Sequence, residues 1–353
     1  MTPPVTTRAT APQILDRCRA LVRPALTQAV RRLHPWPAEM AAFSLGWSEV
    51  GGRPVPDPGT GSHGKGVRQA LTVLGAEAAG GSGADAVAGA VAVELIHTFS
   101  LLHDDIMDGD ETRRQRPSVW KAYGTGPAVL AGDALFALAV ETLADSRNVH
   151  SGAAVRHLAG TLSDLVRGQA EDLLFEARPW TGPEAVSPGE YRTMAGHKTG
   201  ALLGCAAGLG AVLAGAPAAT ADVLTRAGRH LGVAFQAVDD LLGIWGDPRV
   251  TGKPVHSDLR RGKKTYPVLA AVSARGPAAR ELVALLASDG SLDDADARRA
   301  AALVEEAGGR RAALAEAHRH LDRARRCLES VPLEPAAVGD LLTLVPFLVD
   351  RRL

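Results

Sequence analysis

From Gln13 to the C-terminus, Ala, Leu and Val recur at the spacing of one helix face, and runs that alternate with β-branched residues are nearly absent. A period near 3.6 residues with hardly any of period 2 predicts an all-α chain. Breakers separate the helices: the Pro/Gly-rich stretch 54–66, the Gly80-Gly81-Ser82-Gly83 turn, the stretch 179–188, and the segment from Asp247-Pro248 to Pro254. None is long enough to act as an interdomain linker, and no repeat of solenoid period is present. The 353 residues are therefore expected to form a single domain, 1–353, with residues 1–12 a flexible arm.

Stretch 200–219 carries no charge and is long enough to cross a bilayer. It is mostly Ala and Gly, with Pro217 near its end, so it reads as a buried core helix and no membrane span is expected. The 39 basic and 39 acidic residues cancel, which removes any global attraction to nucleic acid; an anion site must be local. Cys18, Cys205 and Cys327 are scattered and odd in number, suggesting neither a disulfide framework nor a zinc site. With no apolar core of signal type near Met1, a reducing, cytoplasmic location is expected.

Two of the apolar helices run into carboxylates. One leads from near Asp85 through Val91, Leu95, Ile96, Phe99 and Leu102 to Asp104, Asp105 and Asp108. The other leads from about Ala221 through Leu231, Val233 and Phe235 to Asp239 and Asp240. Residues four apart share a helix face, so Asp104 and Asp108 point the same way with Asp105 at the edge. Like charges repel, and a helix C-terminus disfavours anions, so a cation must offset the clusters. Oxygen donors alone select a hard ion, and Mg²⁺ is usually held by one or two carboxylates together with substrate phosphates.

Basic residues lie near both clusters in sequence. Arg113 and Arg114 follow Asp108, Lys65 and Arg68 open the preceding helix, Lys198 opens the apolar stretch, and Lys253, Lys263 and Lys264 follow the second pair. Arginine forks and lysine point charges both suit phosphate oxygens. A magnesium-dependent enzyme acting on diphosphate esters is implied.

In order along the chain, eight segments make the pattern specific. They are Gly64-Lys65-Gly66-Val67-Arg68, Glu94-Leu95-Ile96-His97, Leu102 to Asp108 with Arg113-Arg114, and Ala131-Gly132-Asp133. Then come Gly168-Gln169 with Asp172, His197-Lys198-Thr199-Gly200, Phe235-Gln236 with Asp239-Asp240, and Asp258 with Gly262-Lys263-Lys264-Thr265. Across nearly its whole length the chain resembles the trans-prenyltransferases, the polyprenyl or isoprenyl diphosphate synthases.

The resemblance implies an all-α bundle around a deep central cavity, with both aspartate helices at its mouth and three Mg²⁺ ions held between them. It implies an allylic diphosphate (dimethylallyl, geranyl or farnesyl) held through Mg²⁺ by Asp104, Asp105, Asp108, Asp239 and Asp240, with Arg113, Lys198 and Lys263 assisting; Lys253 joins these substrate-binding residues. Isopentenyl diphosphate would be held by Lys65, Arg68, His97 and Arg114. Ionisation, condensation and proton loss follow. Leaving-group stabilisation and exclusion of water are what such a reaction needs, and the side-chain dipoles of Thr199 and Gln236 suit the developing cation. For His97 a hydrogen-bonded core role stands beside the ligand role. A homodimer is also implied; Gly204 and Gly208 would allow close helix packing within a subunit or between two.

The chain departs from the family pattern in two places. Gly243 stands where a third aspartate is usual in the second cluster, and Asp247 either compensates or begins the Asp247-Pro248 turn; Gly66 replaces a common arginine. Chain elongation should stop at a bulky residue upstream of Asp104. Phe99 five residues before, with Ser100 beside it, resembles the family's C20 producers, so geranylgeranyl diphosphate is the expected product and farnesyl diphosphate the next. Aromatics at 4% argue against a terpene cyclase, and Gly243 is what a non-catalytic subunit of a heteromeric synthase would rest on.

Overall fold

The computed structural model describes residues 9–55, 66–248, 254–287 and 292–349, with side chains as far as 347. Lys65 and Lys253 lie outside the described residues, as do Arg351, Arg352 and residues 1–8 of the expected arm. The described chain is helical apart from loops and one short ribbon, as the periodicity predicts. Its helices are α1 (Ala11–Val30), α2 (Pro35–Ser44), α3 (Val67–Ala78), α4 (Val87–Met107), α5 (Val119–Tyr123), α6 (Thr125–Ala144), α7 (Ser151–Glu176) and α8 (Pro188–Ala195). A π turn, Gly196–Gly200, leads into α9 (Ala201–Leu213) and then α10 (Ala218–Trp245). The remainder are α11 (Ser257–Arg260), α12 (Tyr266–Val272), α13 (Pro277–Leu286), α14 (Asp294–Glu306), α15 (Gly309–Glu329) and α16 (Pro335–Val349). The strands among the described residues are a two-residue ribbon, β1 (Thr112–Arg113) against β2 (Arg116–Pro117).

Two compact units divide the chain: Met1–Leu158 with Ala206–Thr225 and Ser330–Phe347, and Ala159–Cys205 with Arg226–Glu329 and Leu348–Leu353. In the first, α4 buries Val91, Val93, Leu95, Ile96 and Leu102 and packs against α1, α3 and α6. Two glycines set how closely α3 and α9 approach. A Cβ at Gly75 would fall on the Ala207 carbonyl, and one at Gly210 would fall 2.7 Å from Ala76 N, so the two helices touch backbone to backbone. Gly208 faces Ala221 and Thr225 of α10 in the same way, so this glycine packs within the chain.

The stretch weighed as a possible span is a core helix. α9 has 13 residues, and those from Ala201 to Ala211 are buried; at 1.5 Å per residue it is about 20 Å long, short of a bilayer core. By length and composition α6 is the helix, among the described residues, that could cross a membrane. It lies along α4 with Ala128, Ala131, Leu135, Leu138 and Leu143 buried, and it leaves Leu130 and Phe136 exposed. Sequence reading overlooked it because Asp133 and Glu141 interrupt its apolar run.

In the second unit, Gly228 and Gly232 of α10 lie against Gly204 and Gly200, so Gly204 also packs within the chain. α8 opens with a reciprocal cap: Glu190 N–H donates to Ser187 Oγ at 3.1 Å, and Ser187 N–H donates to Glu190 Oε2 at 2.9 Å. Ile244, Leu259, Val268, Leu282, Leu303 and Val304 form an apolar cluster that ties the end of α10 to α11, α12, α13 and α14.

Candidate active site

α4 ends one residue before Asp108, whose N–H reaches the Asp104 carbonyl at 2.8 Å. Asp104 and Asp108 are half-buried one turn apart, while Asp105 is buried. The cation that offsets Asp105 is a guanidinium. Arg113 Nε donates to Asp105 Oδ1 at 2.8 Å and Oδ2 at 3.0 Å, and its Nη2 donates to Oδ1 at 2.6 Å. Burial, the largest single effect, works against the Arg113 charge, but the hydrogen bonding to Asp105 together with the charges of Asp105, Asp104 and Asp110 outweighs it and the pKa is raised. The ribbon presenting Arg113 turns through two residues, Arg114 and Gln115, with φ of 51° and 63°. Both central residues of such a turn take positive φ, which Asn-Gly normally supplies. Arg116 anchors the far side, donating to the carbonyls of Phe43 at 3.2 Å and Ser48 at 2.7 Å.

Arg68 Nη1 lies 3.1 Å from His97 Nε2, and because arginine only donates, His97 accepts and is the neutral tautomer protonated at Nδ1. Burial, with the charges of Arg68, Arg114 and Arg113 added, holds the His97 pKa well below its usual value. Glu94, one turn earlier, has its pKa raised by burial against the opposing pull of Arg68, Gln69 and Arg114. Burial and then Arg113 lower the pKa of Arg114. Three of the four residues assigned from sequence to the homoallylic diphosphate thus form one basic group at α3, α4 and the ribbon. Glu94, which the sequence placed in the same segment as His97 but gave no role, is coupled to two of them, Arg68 and Arg114.

Phe99 and Ser100 are both half-exposed. The Phe99 ring meets His103 edge-on at 4.7 Å between centroids and Phe136 at 5.5 Å. Gly132 explains its motif: a Cβ there would press into the His103 ring, 2.6 Å from Cδ2.

In the second unit the π turn carries His197, Lys198 and Thr199. Such wide turns are uncommon and recur at functional sites. Gly168 makes room for it, since a Cβ there would lie 2.7 Å from Lys198 Cα. Lys198 Nζ donates to Asp172 Oδ2 at 2.6 Å, and His197 Nδ1 lies 3.2 Å from Glu171 Oε2. Thr199 Oγ1 donates to Gln236 Oε1 at 2.6 Å, and Gln236 Nε2 donates to Asp240 Oδ1 at 3.0 Å. Thr199, Gln236 and Asp240 form one hydrogen-bonded chain.

Asp240 is buried and also accepts from the Tyr191 hydroxyl and, at 2.9 Å, from Tyr266 N–H. Burial pushes its pKa up to about 7 against those three donors, with Asp258 adding to the rise. Asp239 beside it is half-buried. Both pairs are therefore built alike, the second aspartate turned inward onto protein donors and the first left more open. Sequence reading missed Tyr191 and Tyr266; the available signal was scarcity, as the chain holds three tyrosines and Tyr266 directly follows the Lys263-Lys264-Thr265 segment. Lys263 N–H bonds to the Asp258 carbonyl at 2.9 Å. Lys264 turns instead to the Trp180 ring, 4.0 Å from its centroid, and to the Glu176 carbonyl at 3.3 Å. α10 ends at Trp245, so Asp247 is not on its face.

Among the described residues no three His, Cys, Asp or Glu side chains close a metal cage. What the aspartate segments offer is the carboxylates of three half-buried residues, Asp104, Asp108 and Asp239. That donor set fits Mg²⁺, which keeps waters and takes further oxygens from phosphates.

The sequence profile described as polyprenyl synthetase matches residues 57–304. A (2E,6E)-farnesyl diphosphate synthase of Mycobacterium tuberculosis is 45% identical over 349 residues, covering 98% of this chain and 94% of that protein. A geranylgeranyl diphosphate synthase of the same organism is 43% identical over 340 residues, covering 96% and 93%. The crystal structure of a polyprenyl synthetase from Streptomyces coelicolor A3(2) superposes with a TM-score of 0.88 at 46% identity, over 95% of this chain and 98% of the other. With that profile matched over more than half of its length and with this likeness in sequence and all-α architecture, the chain belongs to the polyprenyl synthetase family and is a trans-prenyltransferase.

Proposed function

We propose that this enzyme joins isopentenyl diphosphate head to tail to an allylic diphosphate in a magnesium-dependent reaction and stops at the C20 product, geranylgeranyl diphosphate. The observation that carries the reading is the end of α4, where Asp104 and Asp108 stand half-buried one turn apart beside the Arg113–Arg114 ribbon. Asp104, Asp105, Asp108, Asp239 and Asp240 would hold magnesium, which when bound supplies electrophilic stabilisation of the departing diphosphate.

The protein groups have separable tasks. Arg113, Lys198 and Lys263 bind the allylic diphosphate and neutralise charge as its C–O bond breaks. Asp172 accepts from the Lys198 ammonium and orients it. Arg68, His97 and Arg114, with Lys65, hold isopentenyl diphosphate, whose double bond attacks the allylic carbon; His97 is uncharged there and serves as a hydrogen-bonding group. Thr199 and Gln236, tied to each other, present fixed dipoles to the developing cation. Apolar side chains keep water away from it, and the departed diphosphate takes the proton that is lost.

The C20 limit is supported by Phe99, braced edge-on by His103 and Phe136. Incubation of the pure chain with radiolabelled isopentenyl diphosphate and dimethylallyl, geranyl or farnesyl diphosphate tests both levels. A C15 end product with no C20 overturns the length; no elongation of any primer overturns the reaction. The homodimer belongs to the same reading, supported by the exposed apolar Leu130 and Phe136 on α6. The three cysteines are unbridged, which fits a reducing cytoplasm.

A further inference from the structure

Position 66 is where the first basic segment departs from the family pattern, with glycine in place of a common arginine. Gly66 stands just before α3 with φ of 67°, a left-handed conformation that glycine adopts freely and that costs any residue with a Cβ. A guanidinium from another helix lies beside it. A Cβ built at Gly66 would be 3.7 Å from Arg19 Nε and 3.8 Å from its Nη2, so a longer side chain there would run into Arg19.

The fold keeps Arg19 in this place. Leu15, Cys18 and Val22 are buried, and α1 packs against α3 and α4. Arg17 reaches the far end of α3, where its Nη1 donates to Glu77 Oε1 at 2.6 Å and its Nη2 to Oε2 at 2.9 Å. Arg19, two residues on, reaches the start of α3 instead. Glu94 joins it to the basic group of Arg68, His97 and Arg114: the charges of Arg68, Arg114 and Arg19 all act on this one carboxylate. Three guanidiniums coupled to one carboxylate leave an excess of positive charge, which suits a diphosphate. Arg19 Nη1 also donates to Asp16 Oδ1 at 2.7 Å, but Asp16 is exposed, and a surface pair of this kind contributes little and exchanges readily for a phosphate oxygen.

We propose that Arg19, on α1, is a further binding residue for the homoallylic diphosphate, supplying from a separate helix the guanidinium that position 66 lacks. The inference rests on the reading above of Arg68, His97 and Arg114 as the isopentenyl diphosphate site. It is tested on the full chain by calorimetric titration with isopentenyl diphosphate in the absence of an allylic primer, where no condensation occurs. Arg19→Gln should weaken binding by about tenfold, as Arg114→Gln should. In steady-state assays Arg19→Gln should raise the KM for isopentenyl diphosphate and leave that for the allylic diphosphate unchanged. Arg19 is half-buried and its ion pair lies at the surface, so the urea midpoint should stay that of the parent. If Arg19→Gln binds as the parent does while Arg114→Gln does not, the proposal falls and the site reading stands. If neither loses affinity, that reading falls and the inference with it. If Arg19→Gln raises both KM values together, Arg19 serves the packing of α1 and the proposal is overturned.

Discussion

Asp105 and Asp240 are each the inward member of an aspartate pair, yet they are satisfied differently. Asp105 meets a guanidinium; Asp240 meets three neutral donors and keeps a pKa near 7. Removing one partner from a buried ion pair leaves the other charge uncompensated, so Arg113→Ala should lower stability by about 3 kcal/mol, read as a fall in the urea midpoint. Arg113→Lys should recover only part of it, because an ammonium cannot bond in a fork. These partnerships could not be read from sequence. Position 113 was recognisable as basic and near Asp108, but that its partner is Asp105 depends on the turn at Arg114, and Tyr191 is far from Asp240 along the chain. A second consequence lies at His230 and His320, 3.1 Å apart at their Nδ1 atoms, both with pKa lowered by burial to about 4. The unfolded chain then binds more protons than the folded one between about pH 6.5 and 4. Stability is full above that window and declines as pH falls through it. Urea midpoints across this range should show the decline, and His320→Gln should flatten it.

At the scale of elements, what the sequence showed best was the helices that end in carboxylates, since α4 and α10 carry long apolar runs ended by charge. The β1–β2 turn was not legible, because Arg114-Gln115 is an unlikely pair for two positive φ angles. Each such residue costs about 1 kcal/mol, so Gln115→Gly should raise stability by roughly that amount, measured by denaturant unfolding. Slower turnover in this variant would show that the conformation of the turn, and not only its arginines, serves the reaction. The π turn was equally hidden: Gly196–Gly200 reads as ordinary helix in sequence, and its close approach to Gly168 joins residues far apart along the chain. Gly243 looked like a loss from the second aspartate segment. A Cβ there would meet the carboxylate of Asp258, a residue of another element, which spacing along one helix cannot reveal.

For the whole molecule, product length and assembly are the properties that the family alone leaves open, since relatives of nearly equal similarity are named for C15 and C20 products. Phe99→Ala should remove the aromatic brace and shift the products toward longer chains by one or more C5 units, as chromatography of the dephosphorylated alcohols would show; an unchanged distribution would place the limit elsewhere. Leu130 is 57% exposed on α6, and Leu130→Glu should run as a monomer in analytical ultracentrifugation if this face joins two copies. The division of the chain also bears on its synthesis. The first unit draws on residues 330–347 at one end of the sequence as well as on 1–158 at the other, and Glu334 N–H bonds to the Ala78 carbonyl at 2.9 Å. A nascent chain therefore holds an unfinished first unit until residues 330–347 are made, although residues 1–158 of that unit precede them in translation. Folding of the first unit is therefore expected to wait for residues 330–347, and a chain stopped before α16 should show a lower urea midpoint.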